Sequence, residues 1–302
     1  AAVAAAPVEP PPPPPAPPPE APATATVASL LTAEHAALAR ADGQALAALR
    51  TAGAFGFGLD ADEVGDGRDA VVGQILRDLG DPPAGGFTVT AHNTAVGEER
   101  GHAWIAEELE LGGADREPRT LLVSALAAVV GGKWQFVAEH WAVAVADATA
   151  ERLAILKTLP TPQPIADRGD GPGAAELDRA VRAAFETKAA FADARSERPD
   201  AFNFGSGGER AHGGAAIKKI FTRIKAQIRL HDGARVVAGG QWDPAQQAAP
   251  WIGWAAVNVD FTARTRAATD VTQTFRVLAI AIKEGSDWKL VQTQWSNGGP
   301  IR

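Results

Sequence analysis

Hydrophobic side chains first recur at helical spacing. Leu30, Leu31, Leu38, Leu46 and Leu49 mark one apolar face between Ala28 and Arg50, and Asp42-Gly43 splits the pattern into two short helices. A short apolar piece, Ala54-Phe55-Gly56-Phe57-Gly58, follows, then an acidic loop carrying Asp60, Asp62, Glu63 and Asp66. Val71, Val72, Ile75, Leu76 and Leu79 predict a third helix, stopped by Gly80-Asp81-Pro82-Pro83. After it the period shortens. Four strands are expected at Phe87–Val96, His102–Leu111, Arg119–Val129 and Lys133–Val145, joined by Gly- and Asp-rich turns.

The same order then returns. Prolines and glycines around Arg168 predict a linker at 148–173, in which Leu153, Ile155, Leu156 and Leu159 are expected to form one docked turn. A helix is expected near Glu176–Ala194, an apolar piece at Ala201-Phe202-Asn203-Phe204-Gly205, a helix near Ala215–Ile224 and strands to the end. Self-similarity can be read residue by residue: AFGFG at 54–58 against AFNFG at 201–205, Trp104 against Trp254, and GGKWQFVAEHW at 131–141 against GSDWKLVQTQW at 285–295. Trp134 and Trp141 thereby match Trp288 and Trp295. Offsets that drift by only a few residues put the insertions in loops, as a duplication requires. Two modules are therefore expected, at 28–147 and 174–302.

The succession of two helices, an F-x-F strand, a helix and a meander closing on K-W-x-x-V-x-x-x-W resembles the SnoaL-like branch of the nuclear transport factor 2-like superfamily. The likeness covers nearly all of 28–147 and, more loosely, 174–302. The resemblance implies an α+β fold: two cone-shaped domains, each a curved antiparallel sheet wrapped on helices, with a mouth able to hold a small hydrophobic ligand. It also implies pairing of domain 1 with domain 2 through the outer faces of their sheets. Family members include isomerases, cyclases, dehydratases and non-catalytic binding or assembly modules. Ketosteroid isomerase-type members stabilise an oxyanion with a tyrosine, and this chain has none.

Charge supports the pairing. Residues 28–147 hold 8 Lys/Arg against 18 Asp/Glu, and residues 174–302 hold 18 against 13, so the halves carry opposite net charge and attract. Ahead of both, eleven of the 22 prolines fall between Pro7 and Pro22, so residues 1–27 are expected to form an extended Pro-rich spacer without a core. With no methionine at position 1, a leader could have been removed. The expected location is periplasmic or extracellular, anchored upstream of residue 1; otherwise the chain is cytoplasmic. No run approaches the ~18 apolar residues of a membrane span, so the given chain is not expected to insert.

Absent chemistry narrows the function. Without cysteine there is no disulfide, thiolate metal site or cysteine nucleophile, and six scattered histidines predict no metal site and no cofactor. Gly205-Ser206-Gly207-Gly208 lacks the lysine of a phosphate loop. The basic stretch Arg210–Arg235 is expected to dock on the acidic half rather than on nucleic acid, because the chain is acidic overall at −7.

Candidate ligand-binding residues are Trp104, Glu107, His140 and Phe57, with His92, His102, Asp60 and Glu108 as further polar candidates. A histidine beside a carboxylate in an apolar pocket forms a general acid/base pair, and His140 with Glu107 is that pair in the enzymatic alternative, a cyclase- or isomerase-like site in domain 1. The bland alternative for His140 is a hydrogen-bonded histidine at a sheet edge. Alternation places Ile105, Glu107, Leu109 and Leu111 on one face and Trp104, Ala106, Glu108 and Glu110 on the other. In the second repeat Glu107, Glu108 and His140 become Val257, Asn258 and Gln294, none of which titrates, which favours a non-enzymatic module binding a small ligand or an envelope protein partner.

Overall fold

The structure is a computed structural model that describes residues 24–114, 116–145, 173–231, 237–241, 250–264 and 269–297, plus isolated positions between 149 and 165. The Pro-rich segment before Thr24 and nearly all of the expected linker and its docked turn lie outside the described residues.

In the first half, α1 (Val27–Ala39) opens on a capping box in which Thr26 and Ser29 satisfy each other's backbone N–H groups, burying Leu30, Leu31 and Leu38. Asp42 caps α2 (Gly43–Ala48) by accepting from the Ala45 N–H, so the expected break is a helix start. Next come β1 (Arg50–Phe57), β2 (Val64–Asp66) and α3 (Arg68–Leu79), then the meander β3 (Thr88–Glu99), β4 (His102–Gly113), β5 (Arg116–Val130) and β6 (Lys133–Val143). Part of the expected acidic loop thus pairs as β2. Gly131 and Gly132, both at positive φ, make the tight β5–β6 turn.

The second half repeats this order with α4 (Ala174–Ala184), α5 (Lys188–Asp193), β7 (Phe202–Phe204), β8 (Arg210–His212), α6 (Gly214–Arg223), β9 (Ala226–Leu230), β10 (Val237–Gln241), β11 (Ile252–Arg264), β12 (Asp270–Glu284) and β13 (Asp287–Ser296). The single helix expected over 176–194 is two, because the Thr187 side chain accepts from the Ala190 N–H and starts a new one.

The sheet orders correspond strand for strand. The first is β2-β1-β6-β5-β4-β3; the second runs β8-β7-β13-β12-β11, its edge shared by β9 and β10 on opposite ends of β11. In both, the short aromatic strand pairs parallel with the last strand. Register matches as well: Phe57 faces His140 where Phe204 faces Gln294, and Trp104 faces Leu126 where Trp254 faces Ile280. Even the bulge recurs, admitting one extra residue at Val137 and at Val291.

Each sheet has two faces with different tasks. In the first half the helix-facing side buries Ile105, Leu109, Leu111, Leu121, Trp134 and Trp141 among Leu30, Leu38, Leu46, Val71 and Ile75. The opposite face meets the second half. There Phe55 stacks on Trp254 at 4.7 Å, and Ala106 and Leu122 cluster with Phe202 and Phe204. Amides cross the seam, Gln292 donating to the Ile105 carbonyl (2.6 Å) and Gln294 to that of Leu122 (3.0 Å). So do two ion pairs, Arg198 with Glu99 and Arg210 with Glu108, each at 2.7 Å.

Gly97 marks a close approach on this side, since a Cβ there would collide with the Trp104 indole. Gly97→Ala is expected to lower stability by roughly 1–3 kcal/mol through overpacking. The shift of the urea midpoint measures it, and an unchanged midpoint would show that the indole has room to move.

Candidate functional site

The interior of the first domain is occupied by charge. Arg50 opens β1 with its side chain buried under α1 and α2, and two carboxylates clamp it. Its Nε and Nη2 donate to the Glu139 oxygens at 2.6 and 2.7 Å, Nη2 also to Glu34 at 2.6 Å, and Nη1 to the Leu46 carbonyl. Two acids share one cation away from water. Burial, reinforced by the charge of Glu139 against the pull of Arg50, pushes the Glu34 carboxyl up to about 7. Beside them buried Glu107 accepts from Thr94 and pairs with His35 Nε2, each at 3.0 Å. Burial pulls His35 down, but the hydrogen bond and charge of Glu107, with the charge of Glu34, outweigh it and raise its pKa.

The residues expected to form one site are divided by the sheet. Glu107 lies on the helix-facing side, whereas Trp104, His140 and Phe57 lie at the seam. Trp104 donates its indole N–H to the Asp200 carbonyl (3.0 Å) beneath the Arg198 guanidinium. His140 is fully buried on an interior strand, not at a sheet edge, because β6 runs between β1 and β5. Its Nε2 meets Ser296 Oγ at 2.8 Å, and burial together with the nearby Arg276 cation holds its pKa well below the ordinary value. Phe57 packs between His140 and Arg276. His140 and Glu107 therefore cannot exchange a proton as a pair; the sheet separates them. His92 pairs with Glu110 at the surface, His102 meets the Trp251 ring edge-on, the Asp60 carbonyl accepts from Arg276, and Glu108 belongs to the seam ion pair.

An open cavity lies instead in the second domain. It measures about 410 Å³ and is lined by Phe221, Phe261, Phe275 and Trp295, with Asn203 on its wall and Arg210, Lys225 and Arg264 toward its mouth. Matched register assigns the counterparts of Phe261, Phe275 and Trp295 as Leu111, Leu121 and Trp141, which are packed against Leu79 and Phe87. The segment Gly80–Phe87 folds back so that the Phe87 N–H donates to the Ala39 carbonyl, stoppering the first cone. Only Ile224 and Lys225 join α6 to β9, too short a link to make such a plug, so the second cone stays open.

Its polar wall has a definite polarity. Arg195 bridges to Leu290 as Arg50 does to Phe136, so the buried arginine is duplicated too. But Thr293 replaces Glu139 and the helix offers no acid, so Arg195 Nη1 donates to Thr293 Oγ1 (2.8 Å) and Nη2 to the Phe202 carbonyl (3.0 Å). Burial alone lowers its pKa to about 9. Because the Thr293 oxygen already accepts from Arg195, its own proton goes to Asn203 Oδ1 at 2.7 Å. That fixes the amide orientation and leaves the Asn203 N–H₂ as the donor group on the cavity wall. Glu34, Arg50, Glu139 and Asn203 were not singled out from sequence. A two-residue difference in the spacing of Arg50 and Arg195 from their aromatic strands hides that pair.

Residues 27–146 match the family model described as a SnoaL-like domain. No curated protein matches the chain. Similar solved structures include a nuclear transport factor 2-like protein of unknown function from Pseudomonas putida (16% identity, 41% of this chain and 87% of that one, TM-score 0.37). Others are proteins with a cystatin-like fold from Nostoc punctiforme (16%, 39% and 87%, 0.33) and Caulobacter vibrioides (16%, 43% and 95%, 0.34). Residues 27–146 thus form a SnoaL-like domain, and the second half shares its strand order and register.

Proposed function

We propose that this chain is a non-enzymatic small-ligand-binding module in which the second domain carries the binding cavity and the first is its fixed partner in an intramolecular pseudo-dimer. The observation that carries this is the asymmetry of the two cones: one plugged by Leu79 and Phe87, the other open onto four aromatic rings and the Asn203 amide. Its volume falls in the range of roughly 300–1,000 Å³ that holds small organic ligands, and apolar walls with few polar groups are the usual composition of such sites. The Pro-rich segment supports display of this module away from an anchor in the cell envelope.

The enzymatic alternative keeps one specific support, a Glu34 carboxyl poised near neutrality as a general acid requires. Against it, Glu34 is enclosed with Arg50, where a buried ion pair serves the fold.

The test is binding of the neutral aromatic dye N-phenyl-1-naphthylamine to the full chain. The wild type is expected to bind it, and Ala263→Trp, which puts an indole into the chamber, is expected to abolish binding while the circular dichroism spectrum stays unchanged. Equal binding by the folded variant would overturn the proposal.

A further inference from the structure

The charges around the second-domain cavity are unbalanced. Its mouth runs into an adjoining depression lined by Lys188, Lys225, Gln227, Thr262, Arg264 and Asp270. Together the two are flanked by four cations, Lys188, Arg210, Lys225 and Arg264, against two carboxylates, Glu209 and Asp270. Some of these are committed elsewhere. Arg210 is paired with Glu108, Lys188 donates to the Ile224 carbonyl at 2.7 Å, and Glu209 accepts from the Gly207 N–H at 3.0 Å. Lys225 and Arg264 make no ion pair among the described residues; Asp270, opposite Arg264 in the ladder, does not reach it.

Both cations are specific to the open copy. Counting from the glycine N-caps of α3 and α6, Lys225 stands where the first domain has Leu79, a buried part of the plug. Arg264 lies three residues beyond Phe261, the counterpart of Leu111, and the stretch Gly112–Ala114 that follows Leu111 in the first domain carries no cation. The interior differs in the same sense. Where the first domain surrounds its buried arginine with Glu34 and Glu139, the second leaves Arg195 without a carboxylate, one hydrogen-bonded relay behind the Asn203 amide. A low-dielectric chamber with a cation behind its wall and free cations at its mouth holds positive potential, which concentrates anions and repels cations.

Resting on the assignment of this cavity as the binding site, we infer that its ligand is a small organic anion: an apolar, ring-bearing body among Phe221, Phe261, Phe275 and Trp295, with a carboxylate or sulfonate head between Lys225 and Arg264. The rings supply contact area that is indifferent to charge. The two cations supply the discrimination, and because they lie near water their share is moderate and screened by salt.

Two dyes with the same aromatic skeleton separate these contributions: 1-anilinonaphthalene-8-sulfonate, an anion, and neutral N-phenyl-1-naphthylamine. Fluorescence titration of the full chain is expected to give tighter binding of the sulfonate. The double variant Lys225→Gln/Arg264→Gln is expected to weaken sulfonate binding roughly five- to tenfold, as two partly exposed ion pairs would, and to leave the neutral dye unaffected. Raising salt should erode wild-type affinity for the sulfonate alone. Neutral dye bound as tightly as the sulfonate, or a double variant without selective loss, would overturn the anion inference and leave the cavity assignment standing. If neither dye bound the wild type, the cavity assignment itself would fall, and the inference with it.

Discussion

Arg276→Met is expected to cost roughly 3–5 kcal/mol of unfolding free energy, as leaving two or three buried loop carbonyls unpaired does, and to loosen the acidic loop of the first domain from the second. Arg276 is completely buried on β12, yet most of its hydrogen bonds leave its own domain. Its guanidinium donates to the carbonyls of Gly58 (2.7 Å), Glu63 (3.1 Å) and Asp60. Burial pulls its pKa down to about 10, opposed by the charges of Glu63, Asp78, Asp60 and Asp62, so it remains a cation at neutral pH. Methionine would keep the volume and remove every donor. The loop carbonyls would then be dry and unpaired, at about 1–3 kcal/mol each if they could not reach water. Urea unfolding reads the loss. A decrease below about 1 kcal/mol, ordinary for a surface substitution, would show that the seam does not depend on this contact.

The second large effect is a dependence on pH. Relative to Glu34→Gln, the wild type is expected to lose on the order of 3 kcal/mol as pH rises from about 4.5 to about 7. The folded chain retains the Glu34 proton in that window while the unfolded chain has released it, so raising pH drains stability. His35, also raised, contributes stability below its unfolded pKa that is lost as pH climbs, the same direction. Asp78 is pushed up to about 7 by burial and the charge of Glu63, but solvent screening shrinks its part. His140 opposes them, since a buried neutral imidazole loses stability as pH falls through the ordinary histidine range. Comparing wild type with the variant cancels His140 and leaves Glu34 together with the part of the His35 shift that its charge supplies. Parallel stability curves for the two proteins between about pH 5 and 8 would refute the raised Glu34 pKa in the Arg50 cluster.

The fold was legible because its landmarks are large. Trp104 and Trp254, Trp134 and Trp288, and Trp141 and Trp295 stand at matched register in the two sheets, so their spacing carried strand identity through the drifting loops. The site was not legible, for two reasons. Alternation counted along β6 from Trp134 and Phe136, both under the helices, would put His140 there also. The extra residue at Val137 reverses the parity, sending His140 to the seam and Glu139 inward to Arg50. Nothing in the pattern of apolar residues announces a bulge. The second reason is a loop length. Whether a cone is hollow depends on Phe87 tucking under α1, and the two-residue link in the other copy acquires meaning only once that plug is seen. Titratable residues drew attention to the first domain, while the opening was made in the second by shortening a connection.

β7 is three residues long, with Phe202 and Phe204 turned to the first domain and Asn203 to the chamber. Guest and joint therefore share a wall one peptide thick, its successive Cα atoms about 3.8 Å apart. A molecule that reorients the Asn203 amide leans directly on the rings that weld the two copies together. On the proposed binding role, occupancy of one lobe would press on the union of both, a linkage that a solitary copy of the fold would have nothing to pull against.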